Sequence, residues 1–179
     1  MDLYFRGPWV PGKAIPVMTT TDKKTIVDIL IDNDQIPVYM EILNCCMEFY
    51  AGPNATLPEE DKRFWTKAIE HQKELLTGSL KNDEGYLILM GEDDFKILHA
   101  LFNSASETFY CPIRRLLNGY AEVFHKLPKD NPIVLSYEKI DAPNVFTIAT
   151  RNLDSKIEIC SNLTNYINRI YESMEENNS

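Results

Sequence analysis

Apolar positions along this chain fall into blocks of helical spacing, punctuated by proline and glycine. Ile36, Met40, Leu43, Met47 and Tyr50 recur at intervals of four and three. Pro37 suits a first turn and Gly52-Pro53 stops the run, so a helix is predicted here. A second helix is predicted from Pro58, with Glu59, Glu60 and Asp61 in its first turn. Its core face reads Phe64, Trp65, Ala68, Ile69, Leu75 and Leu76, and Gly78 closes it. A third begins at Gly91-Glu92-Asp93-Asp94 and buries Phe95, Leu98, Leu101, Phe102, Ala105 and Phe109. Pro112 is expected to interrupt it, because the ring clashes with the preceding turn. Residues 113–127 then continue as a separate helix with Leu116, Tyr120, Phe124 and Leu127 facing inward. The last helix is predicted from Asp154-Ser155, with Ile157, Cys160, Leu163, Ile167, Ile170 and Met174 on one face.

Strand patterns are fewer. YLILM (86–90) is a short apolar run between two glycines, of a length that favours a buried strand. PIVLSYEKI (132–140) and VFTIATR (145–151) are rich in β-branched and aromatic residues. They flank Asp141-Ala142-Pro143-Asn144, a turn tetrapeptide, and so predict a hairpin. TIVDILI (25–31) fits both periods. Val27, Ile29 and Ile31 alternate, while Ile26, Val27, Leu30 and Ile31 share a helix face; Thr20, Thr21 and Asp22 just upstream favour the helix. The expected fold is α+β and helix-dominated. Five or six helices pack around a C-terminal hairpin (132–140/145–151), with 86–90 as a third strand. Residues 1–24 read as an extended arm, and 25–176 as a single globular domain.

Composition narrows the function classes. Apolar residues make up 44% of the 179 positions and charged residues 25%, which is ordinary for a chain that builds a core. No apolar run reaches the roughly 18 residues of a membrane span, and no secretory signal pattern opens the chain. The net charge of −9 disfavours a nucleic-acid backbone or an anionic membrane as partner and favours a protein with a basic surface. Cys45, Cys46, Cys111 and Cys160 lack zinc-site spacing. They are expected to be reduced, which places the protein in the cytoplasm.

Candidate chemistry is sparse. Glu122-x-x-His125 has the spacing of carboxylate-bundle iron ligands, but it occurs once where such sites use it on two helices. His71 and Glu74 make His-x-x-Glu, the reverse order, and His99 sits between apolar neighbours in FKILHALF. No nucleophile elbow and no phosphate-cradling glycine loop is present, so no catalytic residue, metal or cofactor is assigned. Residues 32–37, DNDQIP, put proline where a calcium loop needs glycine. What remains is charge. Glu59, Glu60, Asp61, Glu92, Asp93 and Asp94 are candidate partner contacts that also suit helix starts, and Arg114-Arg115 begins the main basic cluster. Trp9, with Tyr4 and Phe5, sits on the proline-stiffened arm. DLYFRG (2–7) resembles ENLYFQG, the recognition sequence of the tobacco etch virus protease used in expression vectors. Asp2 stands for Asn and Arg6 for Gln. That resemblance implies that residues 1–17 are vector-encoded and Met18 is the native start; otherwise the arm is a docking element.

The leading functional expectation is a non-enzymatic protein-interaction domain (a regulator, inhibitor or adaptor) presenting an acidic helical surface. The second is a structural or assembly subunit that self-associates through its arm. A composition rich in Asn, Ile, Lys and Tyr suggests an AT-rich genome, hence a viral or phage origin. The third is an enzyme with a scattered Asp/Glu/His site.

Overall fold

TIVDILI is a strand. The computed structural model describes residues 16–18, 25–132, 135 and 142–177, and in it Thr25–Asp32 forms β2. It pairs antiparallel with β4 (Gly85–Gly91), placing Val27 opposite Met90 and Ile29 opposite Ile88. Val27, Ile29 and Ile31 are fully buried on one face; Asp28 and Leu30 on the other face are buried too. A strand covered on both sides loses clean alternation, which is why its pattern also fits a helix. The partner that decides the matter lies some sixty residues downstream. The short strands β1 (Pro16–Met18) and β3 (Leu80–Lys81) complete an antiparallel sheet in the order β1-β2-β4-β3.

β3 and β4 form a tight hairpin. Asn82 builds its turn: the side-chain oxygen accepts from the backbone N–H groups of Glu84 (2.8 Å) and Gly85 (2.9 Å). The expected hairpin at 132–151 is not formed. Residues 145–151 lie in a 36-residue helix, Ala142–Asn177. Their β-branched content is overridden because a helix anchored further along extends at little cost per residue. The anchors are buried Leu153 and the ion pair from Asp154 to Arg114. Of the 132–140 segment only Pro132 and Leu135 are described, both helical; the rest lies outside the described residues.

Two helices follow the expected course: α1 (Ile36–Ala51), which starts with Pro37, and α2 (Glu59–Thr77), which follows Pro58. Pro112 does not break the next one. α3 (Glu92–Ala105), a π-helical turn (Ser106–Tyr110) and α4 (Cys111–Lys126) run without a gap. The wider π turn lies where the proline ring would meet the carbonyl of Thr108. Counting 92–126 as one rod and Ala142–Asn177 as α5, the described residues hold four helices, not five or six. The turn also moves the inward face of α4. One extra residue per turn advances that face by about 100°. Accordingly Leu117 packs on the core while Leu116 faces out.

The core lies between the sheet and the helices. Tyr39, Ile42 and Leu43 of α1 meet Phe95, Leu98 and Phe102 of α3, and Leu163, Ile167 and Ile170 of α5. The rings of Tyr39 and Phe102 stand 5.3 Å apart. All four cysteines are free thiols. Burial pushes the Cys46 thiol up to about 12, helped by its neighbours Cys45 and Cys160, and burial raises Cys160 as well. Burial, then the Glu41 carboxylate, raise Cys45 too, so a thiol reagent at mildly alkaline pH is expected to label partly exposed Cys111 first, Cys45 more slowly, and Cys46 and Cys160 only after denaturation. Equal, rapid labelling of all four in the folded protein would contradict this packing. Among the described residues no helix is long and apolar enough to cross a membrane.

Candidate docking surface

Consecutive helical residues point about 100° apart, so adjacent aromatics at the margin of a core face diverge, one inward and one outward. This geometry governs Phe49-Tyr50 at the end of α1 and Phe64-Trp65 near the start of α2. Tyr50 and Trp65 turn inward and stack at 4.7 Å with an 18° tilt. The Tyr50 hydroxyl lies 3.4 Å from the Ser104 hydroxyl of α3. Phe64 meets Trp65 edge-on at 5.4 Å, and Phe49 meets both Tyr50 (5.0 Å) and Phe109 of the π turn (5.9 Å). Five rings from three elements thus form one continuous chain.

Its outer members are open to solvent. Phe49 is 54% exposed and Phe64 55%. Along α4, four and seven residues beyond Phe109, Ile113 is 49% and Leu116 56% exposed. Phe64 and Leu116 were expected in the core, and both lie outside it. The doublets Phe49-Tyr50 and Phe64-Trp65 were the available sequence signal for outward aromatics. Glu60 and Asp61 stand one turn before Phe64 on the same side of α2, and Lys67 one turn after it, so the acidic rim lies on the N-terminal side of the ring.

The charged candidates are dispersed. Glu59 pairs with Lys62 (3.6 Å), and its backbone oxygen accepts from Arg63 (3.4 Å). Glu92 pairs with Lys96 (3.3 Å). Asp94 meets His71 Nε2 at 3.1 Å, and its backbone oxygen accepts from the buried Gln72 amide at 2.8 Å. These contacts join α3 to the far half of α2, ten residues or about 15 Å along the axis from Asp61. The two acidic clusters therefore do not form one face. Asp93 is exposed. Arg114 is engaged with Asp154 (2.8 Å) and Asn118, whereas Arg115 is exposed. Trp9 and the vector-like segment 2–7 lie outside the described residues.

No three His, Cys, Asp or Glu side chains converge to hold a metal among the described residues. His125 and Glu122 are exposed on α4. His99 stacks on Tyr171 at 3.9 Å. Burial holds its pKa below the usual imidazole range, partly offset by a hydrogen bond with Asn168. The folded state therefore takes up this proton less readily than the unfolded chain. This stability contribution is full above the ordinary histidine range and is lost as pH falls through it. Urea midpoints are expected to drop between about pH 7.5 and about pH 5.5, and less so in a His99→Phe variant, which keeps a ring stacked on Tyr171. An identical drop in the variant would assign the effect to other groups.

Compared with known proteins, the chain matches no family model, no curated protein and no solved structure.

Proposed function

We propose that the protein is a non-enzymatic interaction domain, a regulator, inhibitor or adaptor, that docks a protein partner on the aromatic strip. The observation that carries this reading is the pair of half-exposed phenylalanines, Phe49 and Phe64, that flank the inward Tyr50–Trp65 stack in a ring chain anchored in the core. Aromatic anchors on a rigid base are the residues from which interfaces draw most of their energy. They lose little side-chain freedom on binding. The acidic rim at Glu60 and Asp61, together with the net charge of −9, supports a partner segment with apolar side chains flanked by Lys or Arg. Free thiols fit a reducing cytoplasm, and residues 25–176 are read as the folded unit, with 16–18 adding β1 to its sheet. A second copy of the chain is the alternative occupant, favoured by the exposed aliphatic pair Ile113 and Leu116, one turn apart on α4.

A photo-crosslinking side chain at position 64, compared with one at exposed Ser161 on α5, tests the reading in cells that make the protein. A discrete adduct from position 64 alone supports docking, and its mass separates a foreign partner from a second copy. The same adducts from both positions, or none from position 64, would overturn it.

A further inference from the structure

The free edge of β2 is covered in two ways. β1 pairs with Thr25–Val27 only. Beyond it α5 closes in, and the Leu30 N–H donates to the buried Tyr166 hydroxyl at 2.9 Å. The Asp32 N–H donates to the Gln35 side-chain oxygen at 3.1 Å, which leaves the Gln35 amide nitrogen available. Here the strand end and α5 border an open cleft of about 320 Å³. Asp32 and Gln35 line it from the strand side. Asn162, Asn165, Tyr166 and Arg169, at helical intervals of three, one and three, line it from α5.

The cleft is polar and carries both signs of charge, yet the two charges are not spent on each other. Among the described residues the Arg169 guanidinium and the Asp32 carboxylate make no ion pair, together or with any other group. Partial burial, then the nearby Asp34 and Glu84, raise the Asp32 pKa above the usual carboxylate range. The strand side is thus a negative pole that a bound cation relieves, and the helix side offers a guanidinium fork suited to a carboxylate. A simple anion would satisfy Arg169 and be repelled at Asp32; a simple amine would do the reverse. A molecule bearing both groups satisfies both, with the Asn162 and Asn165 amides for its remaining polar atoms. The volume sits at the small end of ligand pockets, about 300–1,000 Å³, and suits an amino acid or a very short peptide better than a nucleotide.

We propose that this cleft binds a small zwitterion of the amino-acid class, its carboxylate on Arg169 and its ammonium group at Asp32. The site shares no residue with the aromatic strip, so it stands or falls separately from the docking reading.

Calorimetry on the full chain, with the common amino acids and simple dipeptides at millimolar concentration, tests it. At least one zwitterion is expected to bind one-to-one. Its deaminated and decarboxylated analogues should bind at least about tenfold more weakly, the cost of one lost charged contact. Arg169→Gln and Asp32→Asn should each weaken binding by a similar factor, while Arg151→Gln, an exposed change elsewhere on α5, should not. A preference for amino acids over dipeptides, or the reverse, identifies the source of the zwitterion. Melting curves confirm that each variant is folded. Absence of binding by every zwitterion, equal binding of a singly charged analogue, or unchanged binding by folded Arg169→Gln would each overturn the proposal.

Discussion

Replacing Gly85 by valine is expected to cost the protein a large part of its stability, while replacing Gly119 by alanine should add to it. Gly85 is buried at the first position of β4, opposite Asp32 in the register. A Cβ placed there would lie 2.2 Å from the Ile31 carbonyl oxygen and 2.9 Å from its carbon. Both are backbone atoms of the central strand, so no side-chain rotation relieves the clash. Either the β2–β4 pairing shifts or the Asn82 turn opens, and both hold the sheet in register. A loss of about 3 kcal/mol or more is expected, against a typical total of about 5–15 kcal/mol. In urea this lowers the unfolding midpoint by more than about 1 M, since slopes for such chains run at about 1–3 kcal/mol per M. Gly119 is exposed within α4, and a Cβ there meets nothing within 4 Å. Gly119→Ala should raise stability by about 0.5–1 kcal/mol through helix propensity alone. An unchanged midpoint for Gly85→Val would mean that the strand pairing at this end is looser than described.

The second large effect is on binding and leaves the fold intact. Phe49→Ala and Phe64→Ala remove ring faces that water already reaches, so each is expected to shift the melting temperature little. Against the partner recovered by crosslinking, each should weaken affinity by about 30-fold, the equivalent of about 2 kcal/mol for a central aromatic anchor. Trp65→Ala is the contrasting variant. Trp65 packs against the core and stacks on Tyr50, so its loss should lower stability as well as binding. Lys62→Ala removes the ion-pair partner of exposed Glu59, a weak surface interaction, and should change neither by much. Should Phe64→Ala bind as tightly as the unmodified protein, the strip is not the docking surface.

Much of the helical framework was legible because helices are local. The face of the C-terminal half of α5 is written in residues three and four apart. Cys160, Leu163, Ile167, Ile170 and Met174 are buried as their spacing predicts. For α1 the spacing points one step off, since the buried side is Val38, Tyr39, Ile42, Leu43 and Cys46. Of the residues picked by spacing only Leu43 is fully buried, while Ile36, Met40, Met47 and Tyr50 flank the core. Acids in the first turns of α2 and α3, Gly52 and Gly78 marked the ends for equally local reasons. Arg114 read as part of a basic cluster, but the acid it meets lies forty residues away on another helix. The cleft was not legible at all, since its two sides are more than a hundred residues apart in the chain.

By itself the sequence determined the class of object: an acidic, helix-dominated α+β chain with short apolar runs, helical faces at regular spacing and a strand at 86–90. Tertiary structure decided the rest. Whether 25–31 is strand or helix depended on β4, because a strand is stabilised by its partner and not by its own residues. Whether 145–151 extends a helix or folds back depended on the anchorage of α5 at Leu153 and Asp154. Which side of α4 faces solvent depended on one π turn, a single extra residue that rotates everything after it. The exposed aromatic strip and the charged cleft arise from such non-local decisions, since periodicity reports which residues share a face but not what that face meets.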